Sequence, residues 1–270
     1  MRHRESSLIR VHPVFNHLLN RSPDGSVWLT ELCRMAAATR PDKGWTPSDP
    51  GPLLPCETPE TASARIGVVF KRFVPPPTEF LRWLISHPAQ MDVIDRQNFN
   101  ARSESVREER RKLFSSDAKQ SMQAQREALE QLTALGATRS RSAWWAFEGF
   151  THVDCCLMTT RLVLFVEGTR TEVVSSSTRW FATRSQLWRN VEAAKELGLG
   201  REAAVILAVE SESDGLAALS AAERRLAQSL PHLSPAARAG LDRRFLGFVT
   251  WPALKAQFDL PDKYLPPFSR

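Results

Sequence analysis

Two acidic residues set in an otherwise apolar stretch are the first candidates for chemistry. Asp154 lies in the run HVDCCLM, and Glu167 comes late in LVLFVEGT, thirteen residues further on. Metal-assisted hydrolysis of a phosphodiester needs two or more carboxylates converging on an oxygen-ligated ion, with a cationic or polar group beside the attacking water. A carboxylate ending a strongly apolar strand must be solvated, paired or metal-bound, because burying it alone is costly. Strand-end carboxylates also serve as ordinary salt-bridge partners, and the pair by itself leaves both uses open.

The elements that would position this pair can be read from periodicity. HVDCCLMTT and RLVLFVEGTR predict antiparallel strands joined by the short Thr159-Thr160-Arg161 connection, a hairpin that lets Asp154 and Glu167 project from one sheet face at a common end. Period-two alternation sets Phe165, Glu167 and Thr169 on one face and Val166, Gly168 and Arg170 on the other. SAWWAFEGF, rich in aromatic residues, predicts a strand just before them. Met122, Leu129, Leu132 and Leu135 recur near helical spacing and predict a helix over 119–135, stopped by Gly136. TRSQLWRNVEAAKELG resumes helical spacing, and AAVILAVES is a continuous apolar run typical of a buried strand. The expected order is therefore α-β-β-β-α-β, an α/β core with additional N- and C-terminal helices.

Elsewhere, a helix is expected near 27–37 and another in TEFLRWLISH after three prolines, with Thr78 as N-cap. IGVVFKRFV and FLGFVTW are further strand candidates. LAALSAAERRLAQSL and SPAARAGLDRRF predict helices, the latter opened by Ser234-Pro235. Residues 38–64, dense in Pro, Gly, Ser and Thr, mark an irregular connection. The expected organisation is an N-terminal, mainly helical extension or small domain over 1–118 and a core with helical additions over 119–270.

The element order, the D-x(12)-E-x-T series and the phrase FEGFTHVDCCLMTTRLVLFVEGTRTE resemble the PD-(D/E)XK nuclease superfamily, with its RecB-like and restriction-endonuclease-like domains. The resemblance covers residues 119–210 and implies a mixed sheet, with Asp154 and Glu167 as ligands for Mg2+ or Mn2+. It places Thr169 where the family carries a lysine, and threonine brings no positive charge to the reacting centre. Arg170 is the nearest cation, but alternation sends it to the opposite face unless the strand bulges at Gly168. Arg184, Arg189 and Lys195 are alternative sources of the charge. The resemblance also implies a further acid, for which Glu127, Glu130 and Glu148 are candidates, and a helical glutamine matched by Gln186. Gln186, Arg189 and Asn190 share one helix face. Two functions follow as expectations: hydrolysis of DNA or RNA, or binding of nucleic acid or a protein partner by a degenerate member that does not cleave.

Composition sets looser bounds. The formal charge of +6 and a sequence pI near 9.5 favour a polyanionic partner. Arg170, Arg179, Arg184 and Arg189 interleave with Trp180, Phe181 and Trp188, a pattern that suits phosphate contact and base stacking or, equally, core aromatics flanked by snorkelling arginines. Four cysteines without C-x-x-C spacing suit reduced thiols, and adjacent Cys155 and Cys156 read as buried small apolar residues. A P-loop and a dinucleotide-binding glycine fingerprint are both missing from the sequence. The N-terminal residues lack the apolar stretch of a signal peptide, and no segment is long and apolar enough to span a bilayer, so the expected location is the cytoplasm.

Overall fold

The computed structural model describes residues 10–43, 45–47, 49–54, 68–101, 103–136, 143–168 and 178–265. Among them is a five-stranded sheet in the order β1 (Val68–Val74), β2 (Thr151–Met158), β3 (Leu162–Gly168), β4 (Glu202–Val209) and β5 (Phe245–Thr250). β2 runs antiparallel to both β1 and β3, while β3, β4 and β5 are mutually parallel, so β2 alone opposes the rest. The central strands are buried on both faces, which is why β3 and β4 are apolar almost throughout instead of alternating.

One face is covered by α1 (His12–Arg21), α2 (Leu29–Ala37) and α9 (Trp251–Phe258). Phe15, Trp28, Leu32 and Trp251 pack there on Leu164, Val166 and Ile206. The opposite face carries α6 (Gln186–Gly198), α7 (Glu212–Ser229) and α8 (Pro235–Asp242), whose Trp188, Val191 and Leu241 meet Phe165, Val205 and Phe248. Cys155 and Cys156 fall in these two layers respectively and are fully buried free thiols, as expected of small apolar residues. At Gly247 the β4–β5 register shifts and φ is +129°; a Cβ there would sit 2.2 Å from Thr39 Oγ1, so only glycine lets α2 close on the sheet.

A third cluster lies between α3 (Thr78–Ser86), α4 (Glu104–Leu113) and α5 (Ala118–Leu135). It corrects the expected strand at SAWWAFEGF. From residue 143 to 150 the chain forms turns, and Trp145 and Phe147 are buried among these helices. Trp145 Nε1 donates to Gln131 Oε1 at 2.9 Å, which secures the indole to α5. The place beside β2 is taken by Val68–Val74, so the first strand of the sheet precedes α5 in the chain. The segment expected as an extension thus supplies an edge strand and two helices of the main layers.

Other elements follow the expected spacing with local corrections. α5 buries Ala124, Ala128 and Leu132, while Met122 and Leu135 face outward: the helix packs on the small residues because α3 and α4 approach closely. Thr78 is the first helical residue and not the cap; Pro77 holds the cap position, and both Thr78 N and Oγ1 donate to the Glu196 carboxylate. Ser234 caps α8 by accepting from Ala237 N. No helix among the described residues is long and apolar enough to cross a membrane.

Candidate active site

Asp154 and Glu167 come together at one rim of the sheet, the edge where β3 ends and β2 begins. The β2–β3 ladder runs from Met158↔Val163 to Cys155↔Val166, and the two acids are the next residues beyond its end. The β1–β2 ladder also omits Asp154, passing from Phe70↔Cys155 to Arg72↔Val153 across Lys71, which takes a left-handed φ of +50°. Alternation slips here as well, since Val153 and Cys156 belong to the same core layer although three residues apart. The irregularity turns the Asp154 side chain toward its neighbour strand, where Oδ2 accepts from Gly168 N at 3.0 Å.

Gly168 makes that approach possible. A Cβ on Gly168 would lie 2.4 Å from Val11 Cγ2 and 3.3 Å from Trp251 Cζ2, so the close fit of α1 and α9 against the end of β3 requires glycine. Glu167, by alternation with Val163 and Phe165, belongs to the α6 side, where Asn190 Nδ2 donates to its Oε1 at 2.7 Å. Asn190, fully buried, accepts in turn from Thr151 Oγ1 at 3.0 Å. The chain Thr151–Asn190–Glu167 therefore ties the start of β2, the second turn of α6 and the end of β3 into one unit.

The electrostatics of the pair are unfavourable for two bare negative charges. Burial first, and then the Asp154 carboxylate beside it, push Glu167 well above the usual carboxylate range. Asn190, Arg189 and a backbone hydrogen bond from Asp154 pull the other way without prevailing. A divalent cation at this rim would reverse the balance. Two carboxylates suit magnesium or manganese, which complete their shells with water and phosphate oxygens. Among the described residues no group of three or more His, Cys, Asp or Glu side chains could share an ion.

The remaining expected site residues are distributed differently. Thr169 and Arg170 lie outside the described residues. Arg184, expected to contact nucleic acid, is fully buried and cannot reach a phosphate in this structure. Its guanidinium bonds both oxygens of Glu148, at 2.9 and 3.3 Å, and pairs with Glu192 at 2.6 Å. It also donates to Ser229 O at 3.0 Å and lies 3.8 Å over the Phe80 ring. Glu148, expected as an alternative third acid at a strand end, sits instead in the turns before β2 and is consumed by this ion pair. Glu192 completes the network with His232 Nε2 at 2.7 Å. Burial would raise Glu192, but Arg184 and His232 outweigh it and hold this carboxyl below its ordinary value.

Glu127 and Glu130 lie on α5, which packs on α3 and α4, and so are not brought to the rim. Gln186 opens α6 and is half-buried, Lys195 is exposed further along it, and Arg179 is exposed in the turn before it. Arg189, on α6 beside Asn190, donates to Gly149 O and approaches Glu148 Oε1 at 3.5 Å. Of the interleaved aromatics, Trp188 is wholly in the core with its Nε1 bonded to Ala222 O, and Trp180 and Phe181 are buried in the third cluster. They are core residues, which removes base stacking on Trp188. Sequence reasoning missed Arg110: it belongs to a mixed-charge helix whose other cations, Arg107, Arg111 and Lys112, do form solvated (i, i+3) ion pairs. It differs from them in being buried against Trp144, a long-range contact with no local signature.

Comparison with protein-family models, with curated proteins and with solved structures returned no match to this chain.

Proposed function

We propose that the chain is a nuclease-like protein that hydrolyses phosphodiester bonds in DNA or RNA with Mg2+ or Mn2+ held by Asp154 and Glu167. The observation that carries the reading is the placement of these two acids as the next residues beyond the end of the β2–β3 ladder, with Glu167 buried and pushed toward protonation by that burial and then by the Asp154 carboxylate. The rim is also the carboxyl edge of the parallel strands β3, β4 and β5, the usual crevice for ligands in open α/β sheets. The element order supports the family resemblance once residues 75–150 are taken as an insertion between the first and second strands: α2, β1, β2, β3, α6 and β4 then repeat α-β-β-β-α-β.

When bound, the ion supplies charge neutralisation at the phosphoryl oxygens and acidifies a coordinated water. The protein's own residues do the positioning. Asn190 fixes the Glu167 carboxylate, Thr151 fixes Asn190, and Gly168 N–H orients Asp154. Arg189 adds positive potential at Glu167, and Arg179 would meet the nucleic-acid backbone from its exposed turn.

A second reading, a degenerate member that binds without cleaving, is favoured by Thr169 in the lysine position. Incubating the protein with single- and double-stranded DNA and with RNA in the presence of manganese separates the two. Cleavage abolished by Asp154→Ala and by Glu167→Ala supports hydrolysis. Binding without cleavage supports the degenerate member, and neither binding nor cleavage overturns both.

A further inference from the structure

We infer that the cleft between Arg110, Arg179 and Arg189 is a binding site for a phosphomonoester, the terminal phosphate of a nucleic-acid strand. The cleft has a volume of about 380 Å³ and is lined also by Asn100, Phe147 and Trp180, with no acid among the described residues of its wall. Its three guanidinium groups come from α4, the 178–181 turn and α6, so the tertiary fold and not local sequence gathers them.

Arg110 is the informative member. It is only 7% exposed and forms no ion pair among the described residues, unlike Arg10, Arg40 and Arg184, the other deeply buried arginines there, which all bind carboxylates. Its Nε donates to Trp144 O at 2.7 Å, and Nη1 donates to Phe99 O at 2.9 Å and Asn100 O at 3.3 Å. Nη2 meets no acceptor among the described residues. The Trp180 and Phe147 rings lie 5.1 and 5.5 Å from its Cζ and fix the plane of the guanidinium. Burial and the neighbouring Arg179 bring its pKa down to about 10, the mark of a cation lacking a counter-charge.

A second observation points to a ligand independently. Among the described residues both side-chain polar atoms of Asn100, Nδ2 and Oδ1, are buried without a hydrogen-bond partner. Buried polar groups left unpaired are rare and costly, and here both polar atoms of one side chain border the cleft. The acids nearest these arginines are already engaged: Glu148 is bound to Arg184 with Arg189 Nε 3.5 Å away, and Asp95, whose field reaches Arg179, accepts from Asn98 N. Arginine's planar donors match phosphate oxygens, and a terminal phosphate carries up to two charges where an internal diester carries one.

The strand end as ligand rests on the nuclease reading above. Gly149 and Phe150 on the cleft wall lead directly into β2, and Arg189 precedes the asparagine that holds Glu167, so the cleft borders the acidic rim. A phosphate seated there would place the adjoining nucleotides toward the carboxylates.

The test measures affinity in EDTA, which silences any metal site. Probes are inorganic phosphate and one oligonucleotide carrying a 5′-phosphate, a 3′-phosphate or neither. Wild type is expected to bind one phosphorylated form about tenfold tighter than the unphosphorylated strand, the equivalent of one charge-assisted hydrogen bond. Arg179→Ser, on an exposed side chain that folding does not require, should reduce that preference severalfold, as should Arg189→Gln, whereas Asp154→Ala should retain it. Inorganic phosphate binding lost in Arg179→Ser, without discrimination among the oligonucleotides, upholds the phosphate site and overturns the strand end as its ligand. No phosphate binding, or a preference unchanged in both arginine variants, overturns the site itself. Neither failure bears on metal binding by Asp154 and Glu167, which the EDTA arm does not probe.

Discussion

Replacing Arg184 with methionine separates a structural arginine from a nucleic-acid contact. The guanidinium is completely buried, bonds Glu148 through two nitrogens and pairs with Glu192 at 2.6 Å. Methionine fills much of the volume but removes the cation shared by two buried carboxylates, leaving Glu192 with His232 and Glu148 with the more distant Arg189, and breaking a buried pair from one side costs about 3–5 kcal/mol. For a chain of this size that corresponds to a fall in Tm on the order of 10 °C. Thermal and urea denaturation at neutral pH, followed by circular dichroism, read the loss. The deficit should shrink as the pH is lowered and the stranded carboxylates take up protons. Combining Arg184→Met with Glu148→Gln and Glu192→Gln should recover a large part of it, because the uncompensated charge is gone. A loss below about 1 kcal/mol, as for a surface pair, would refute the reasoning. An equal loss in the combined variant would refute it too. A phosphate-contacting arginine would instead leave stability untouched and weaken binding alone.

Asn190→Ala removes the link between Thr151 and Glu167 and leaves buried atoms unpaired, so stability should fall by about 1–3 kcal/mol by urea denaturation. Gly168→Ala should cost about 1–3 kcal/mol through the clash with Val11 Cγ2, and Val11→Ala in the same chain should relieve it. Glu192 is held below its ordinary value of 4.5 in the folded protein. Its contribution is therefore complete above the unfolded value and is lost as pH falls through the lowered folded value. Denaturation midpoints below pH 4.5 should decline more steeply in wild type than in Glu192→Gln.

The parts of this fold that could be read from sequence are those whose burial is continuous along the chain. The all-apolar β3 and β4 and the helix between them are where periodicity placed them, and the short 159–161 connection does join an antiparallel pair. That Asp154 and Glu167 are the next residues beyond the ladder's open end follows from that pairing. SAWWAFEGF misled because aromatic side chains suit any buried surface: Trp145 and Phe147 fill a helical cluster, while the edge strand comes from 68–74, far away in sequence. Arg184 misled for a related reason. Its neighbours in sequence look like a phosphate-binding stripe, and only Glu148 and Glu192, brought in by the fold, show that its charge is already spent. The slip at Val153–Asp154 lies opposite Lys71 of β1, which takes a left-handed φ, and has no local signature either.

Calorimetric titration of manganese into the wild-type protein, Asp154→Asn and Glu167→Gln tests the shared cation site most directly. The two carboxylates at the rim predict saturable binding in wild type and its loss in each variant, with all three proteins folded. Heats that are absent in wild type, or undiminished in both variants, would contradict it.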